Sequence, residues 1–206
     1  ISVLGHGQNV GWVAQRIVDD LPASVRRLLP GGDGQVVSIL AALHDIGKIT
    51  LGFQLKCPTW MFPAELGVEA RRKALLSVSD HAIVSQVFLQ ARLKPARAHL
   101  WAVAVGAHHG RPKGKVVNIS DLEAYPEWAE GCRAVVADEL LQTFGPLPRH
   151  GPDPALAPMH SDLWLVAGII TVADWVGSNE AFFPPDRGLS HDEGRMRASR
   201  ALSAIG

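Results

Sequence analysis

An all-α fold is predicted, on three observations. Apolar residues recur at helical spacing along most of the chain, strand-like alternation is scarce, and the few Gly- and Pro-rich stretches fall between periodic segments rather than at the regular turns of a sheet. With 206 residues, 47% of them hydrophobic, the chain can bury one sizeable core, and a single domain over 1–206 is expected.

The periodicity predicts helices near 7–20, 35–48, 66–77, 80–93, 96–109, 127–144, 161–178 and 191–204. The second is an apolar run, Val36 to Leu43, that continues into His44-Asp45-Ile46-Gly47-Lys48. The fourth has Ser79 or Asp80 placed to cap it, with His81 in its first turn. The fifth runs from Leu100 through His108-His109 to a stop at Gly110. The seventh, Leu163 to Val176, is apolar nearly all round and therefore central. Loops are expected at Pro30 to Gly34, Thr50 to Pro63 and Gly145 to Pro158, and Lys115 to Ile119 reads as a short extended piece.

Lys plus Arg and Asp plus Glu both number 20, so no overall basic field advertises a nucleic-acid partner. Cys57 and Cys132 form no CxxC pattern, which points to reduced thiols and a cytoplasmic setting. The most apolar stretch, Leu163 to Ala173, is bounded by Asp162 and Asp174 and falls short of the ~20 residues that span a bilayer. No membrane partner and no signal peptide are expected. The chain begins with Ile1 and ends in an apparent helix, Met196 to Ile205, and lacks a GxxxxGK[ST] motif. It reads as a domain excised from a longer chain or partnered with a separate motor.

The chemistry concentrates in five histidines and two carboxylates. His44-Asp45 sets an imidazole and a carboxylate at the edge of a core, where an uncompensated charge is costly and a metal would compensate it. His108-His109 can face one side of a pocket or serve the helix dipole. Asp174 lies inside the most apolar helix, where it pairs with a cation or with Ser178 one turn on. His81 and His6 each stand by a helix start, either as ligands or as ordinary capping residues. Together His6, His44, Asp45, His81, His108, His109 and Asp174 can supply three or four ligands to each of two metals, with Asp45 as the bridge. Cysteine pairs and an Asp-rich 12-residue loop are absent, which excludes zinc-finger and EF-hand sites. Lys48, near Asp45, suits an anion such as a phosphate, or simply solvates a helix end.

The order His6, His44-Asp45 with Gly47-Lys48, His81, His108-His109, and Asp174 within Ala173-Asp174-Trp175-Val176-Gly177-Ser178-Asn179 resembles the HD metal-dependent phosphohydrolase superfamily. More narrowly it resembles the HD nuclease domain of the helicase-nuclease of type I CRISPR interference. The resemblance implies an HD-domain helical bundle with long loops. It implies one metal held by His6, His44, Asp45 and Asp174 and a second by Asp45, His81, His108 and His109, with catalytic roles for Asp45, Lys48 and Ser178.

Two ions about 3.5–4 Å apart would support phosphodiester hydrolysis without a covalent intermediate. Imidazole-rich shells favour Mn, Co, Ni or Fe over Mg. The implied substrate is single-stranded DNA, cut by endonuclease and exonuclease action, and the implied partners are a helicase in cis or in trans and a crRNA-guided surveillance complex, with a monomer in isolation. Lys56, Trp60, Arg111, Lys113 and Lys115 are the strand-binding candidates, against a reading as solvated surface. Two rivals stay open: an HD phosphohydrolase acting on nucleotides or cyclic nucleotides, and a non-catalytic docking module on the HD scaffold.

Overall fold

The computed structural model describes residues 2–32, 34–77, 80–94, 98–111, 125–153, 161–185 and 188–206, and every regular element among them is a helix. The all-α expectation holds. Ser79, Lys113, Lys115 and the 115–119 piece lie outside the described residues.

The central element is α1 (Val3–Asp20), whose Val10, Trp12, Val13, Ala14 and Val18 are buried. It packs against α3 (Gly34–Ala42), α8 (Pro126–Phe144), α9 (Ser161–Gly177) and α10 (His191–Ile205). The approach to α3 depends on Gly7, where a Cβ would stand 2.5 Å from the Ala42 carbonyl oxygen. On the far side of α3, α6 (His81–Arg92) pairs with α7 (His99–Gly106), and α7 leans on α9. The apolar faces of these helices meet in one core that takes in Leu40, Leu43, Phe88, Leu89, Trp101, Val105, Ile169 and Ile170. Two short helices, α2 (Ala23–Arg26) and α4 (Leu51–Gln54), and the modest α5 (Gly67–Leu76) complete the chain. α5 buries only Ala70 and Ala74 and leaves Val68, Leu75 and Leu76 exposed.

Three boundaries differ from the periodic pattern, each beside a ligand. α1 starts at Val3 rather than at residue 7, because the Ser2 hydroxyl accepts from Gly5 N at 3.0 Å and caps it, so His6 is inside the helix and not before it. The run 35–48 is not one helix. α3 stops at Ala42, His44 N turns back to the Ala41 oxygen in place of the helical partner, and the chain tightens into a 3-10 turn at Ile46–Lys48. α7 likewise ends at Gly106, and His108 and His109 stand in the turn beyond it, which Gly110 leaves at φ +83°. The 50–63 loop contains α4, capped by the Thr50 hydroxyl accepting from Phe53 N at 3.1 Å. Among the described residues no helix is long and apolar enough to cross a membrane.

Candidate metal centre

Five segments deliver polar side chains to one end of the bundle: α1, the turn after α3, the start of α6, the turn after α7, and the last turn of α9. His6 of α1 places Nε2 3.0 Å from Asp45 Oδ2 and 3.2 Å from Asp174 Oδ1. His44 Nε2 stands 3.3 and 3.4 Å from the same two oxygens. The other carboxylate oxygen, Asp45 Oδ1, is 3.2 Å from His81 Nε2 and 3.7 Å from His108 Nε2. His109 Nε2 comes within 3.0 Å of His81 Nε2. The seven residues gathered on sequence grounds are thus brought together in two groups: His6, His44, Asp45 and Asp174, and His81, His108 and His109. Asp45 turns one oxygen toward each group.

Local chemistry aims these side chains. His44 and His108 each hydrogen-bond through Nδ1 to the carbonyl three residues back, Ala41 and Val105, at 2.7 Å, which leaves Nε2 of both directed into the cluster. Ser178 Oγ donates to Asp174 Oδ1 at 3.2 Å, and Lys48 forms an ion pair with Asp45 Oδ2. Lys48 reaches Asp45 because the 3-10 turn folds it back, with its own N–H on the Asp45 carbonyl at 2.9 Å, and not along a helix face.

Two supporting residues escaped the sequence reading. Thr171 Oγ1 donates to the His108 carbonyl at 2.7 Å and steadies the second turn. Ser85 Oγ accepts from Gly47 N at 2.9 Å and ties the 3-10 turn to α6. Gly47 itself has no room for a side chain, since a Cβ would lie 2.0 Å from the His81 carbonyl oxygen. The glycine of the His44-to-Lys48 motif was visible, but its reason is a tertiary approach that spacing does not encode.

The electrostatics match a cation site. Burial disfavours charge on His44, yet the Asp45 and Asp174 carboxylates outweigh it and push the imidazole up to about 9. Burial alone would raise both carboxylates, but the surrounding imidazoles hold Asp45 and Asp174 well below the usual carboxylate range. His108 goes the other way: burial, reinforced by the His44 charge, lowers it to about 3. Nε2 of His6, His44 and His108 and Oδ1 of Asp45 are buried and face one another without a well-directed hydrogen bond. Such atoms are costly to leave unmatched. Imidazoles and carboxylates converging this closely fit a divalent metal, which would displace the His44 proton and satisfy them at once.

Of the strand-binding candidates, Lys56 lines a cleft beside His6, Lys48 and Ser178. Arg111 is exposed just past Gly110. Trp60 is half-buried and packs its ring edge-on against Phe62 and Trp128 at 6.0 and 6.2 Å.

Known proteins share this fold. The HD structure of Thermus thermophilus Cas3, solved in the presence of Ni2+, superposes with a TM-score of 0.68 at 24% identity, covering 99% of this chain and 84% of that one. A CRISPR RNA-guided surveillance complex in a pre-nicking state contains a chain that matches at a TM-score of 0.63 and 20% identity, over 98% of this chain and 26% of that one. These likenesses establish the fold. The CRISPR-associated endonuclease/helicase Cas3 of Thermus thermophilus is 30% identical over 187 residues, 81% of this chain and 19% of the relative. The chain spans about a fifth of the length of the curated relatives it matches, 19% and 21%. The family model for the Cas3 HD domain covers residues 1–183, ligand cluster included, and the chain belongs to that family.

Proposed function

We propose that this chain is a metal-dependent nuclease module of type I CRISPR interference, hydrolysing phosphodiesters of single-stranded DNA at a centre of two divalent ions. The observation that carries the reading is the orientation of Asp45, a buried carboxylate with one oxygen toward His6 and His44 and the other toward His81 and His108. His6, His44 and Asp174 would hold one ion and His81, His108 and His109 a second, with Asp45 open to both, and such ions would supply an acidified water and charge neutralisation at the phosphate.

The protein's own contribution is to orient. Nδ1 bonds fix the tautomers of His44 and His108, so the ligand nitrogens need no rearrangement. Lys48 brings a cation to the cleft side of Asp45 for the substrate phosphate, and Ser178 holds Asp174 in its rotamer. Mn, Co, Ni or Fe suits this imidazole-rich shell better than Mg, and a related HD structure was obtained with Ni2+. The relatives named as endonuclease/helicase support a role for 1–206 as a single nuclease domain. A helicase, in cis or in trans, would feed it the strand, on DNA marked by a surveillance complex.

Closed circular single-stranded DNA and a panel of nucleotides and cyclic nucleotides, each with the five metals in turn, test the reading. Cleavage of the circle, strongest with a transition metal, is expected. Rapid nucleotide turnover with an intact circle would replace it with the small-molecule phosphohydrolase reading, and absence of bound metal with no turnover would leave a docking module.

A further inference from the structure

The cleft beside the metal centre has a volume of about 480 Å³, and His6, Lys48 and Ser178 join it to the ligand cluster. Its size lies in the range of roughly 300–1,000 Å³ that encloses a small organic ligand, enough for a nucleotide and too small for a duplex. Phe53 lines the same cleft, and no step of the chemistry above uses it.

A phenylalanine that only filled the core would be buried, whereas Phe53 is partly exposed. It is held firmly all the same. The Thr50 cap fixes its backbone N–H, and its ring meets His81 at 5.4 Å between centroids and 75° between planes. Two ammonium groups stand over the ring, Lys56 at 4.6 Å and Lys48 at 5.8 Å from its centroid. The arrangement is an aromatic surface, braced against a ligand of the metal centre and flanked by cations, that opens on the space where substrate must lie. Glu180, also in the lining, repels a polyanion toward the lysines.

We propose that Phe53 is a base platform: together with Lys56 it forms a subsite for one unpaired nucleotide next to the scissile phosphate. The base stacks on the ring, and Lys56 moves off the ring face to meet a flanking phosphate, exchanging a cation–π contact for an ion pair. Lys48 stays with Asp45 and the phosphate under attack. This subsite rests on the nuclease reading above and adds what that reading lacks, a physical reason for single strands. A base in a duplex is already stacked and paired, and offering it to Phe53 requires extrusion. Every base has a π face, so the platform selects strandedness and not sequence.

The test pairs a change in the substrate with a change in the protein. Metal-loaded wild-type protein is given oligothymidylate and the same strand with abasic residues, and Phe53→Leu and Phe53→Trp are assayed on both. Wild type should cleave the abasic strand with kcat/KM lower by roughly 5- to 150-fold, the span of one base–aromatic stack. Phe53→Leu should lose a similar factor on oligothymidylate, mostly in KM, and almost nothing further on the abasic strand, while Phe53→Trp retains the preference. Equal cleavage of the two strands by wild type overturns the subsite and leaves the nuclease reading standing. An equal loss on both strands in Phe53→Leu also overturns it, since the ring then only braces His81. Failure of wild type to cleave any single strand overturns both.

A readout free of catalysis uses metal-free protein and a strand containing 5-iodouracil, irradiated and mapped by mass spectrometry. An adduct on Phe53 supports the subsite, and adducts confined to other parts of the chain contradict it.

Discussion

At the scale of single residues, Asp45 is the one side chain that both halves of the ligand cluster share. It is 2% exposed, and its neighbours include four imidazoles and an ammonium. Asp45→Ala should abolish metal occupancy in both groups and cleavage with it, measured by elemental analysis and by the circle assay. His99→Ala, at the first residue of α7 and outside the cluster, should change neither. His44 makes a second prediction, about pH. Its folded value is raised from 6.5 to about 9, so the protonated imidazole stabilises the metal-free protein fully below pH 6.5, and that contribution is lost as pH rises through 9. A metal needs the neutral ring and gains over the same window. The melting temperature of chelator-treated protein should therefore fall between pH 6.5 and 9 while that of the metal-saturated protein holds, and the gap between them should widen. His108, pushed down to about 3, stays neutral throughout and gives up no proton on binding. A constant gap across the window would contradict the assignment of the buried proton to His44.

At the scale of elements, the 3-10 turn Ile46–Lys48 decides how Asp45 and Lys48 meet the rest of the centre. It is pinned to α6 by Ser85 and by the bare Cα of Gly47. Ser85→Ala leaves the Gly47 N–H without its acceptor in a buried setting, at a cost of about 1–3 kcal/mol in urea unfolding. Gly47→Ala should cost at least as much, because the methyl must part the turn from the His81 carbonyl. Both should weaken metal affinity through His81, and an unchanged affinity would show the turn to be independent of α6. These contacts also mark where the sequence was legible. The long helices were readable from their apolar periods, and the ligand types from an imidazole or carboxylate set in an apolar run. The break after Ala42 was not, since Leu43 and Ile46 continue the helical spacing. What stops the helix is the His44 side chain taking the Ala41 carbonyl. Ser85 and Thr171 were invisible for a related reason: their partners, Gly47 and His108, lie far away in the chain.

At the scale of the whole molecule, the bundle gathers buried imidazoles and carboxylates at one end, and a metal bound there would stabilise the fold. A ligand that binds only the native state adds about 2.7 kcal/mol at 100 times its dissociation constant. For a chain of this size each kcal/mol is worth about 2–4 °C in Tm. Saturation with Ni2+ or Mn2+ should thus raise Tm by roughly 5–10 °C in differential scanning calorimetry, chelation should reverse the rise, and Asp45→Ala should show none. A metal-independent Tm would remove the basis for a resident ion.

His6 and Asp174 lie near opposite ends of the sequence yet meet at one oxygen's distance. The consequence concerns time. While the chain is being synthesised, His6, His44, Asp45, His81, His108 and His109 all emerge before Asp174, and His6 and His44 lack one of their two carboxylate neighbours until α9 has docked beside α1. The cluster of His6, His44, Asp45 and Asp174 is therefore closed only after α9 has been made, and any product terminated short of residue 174 is born without it.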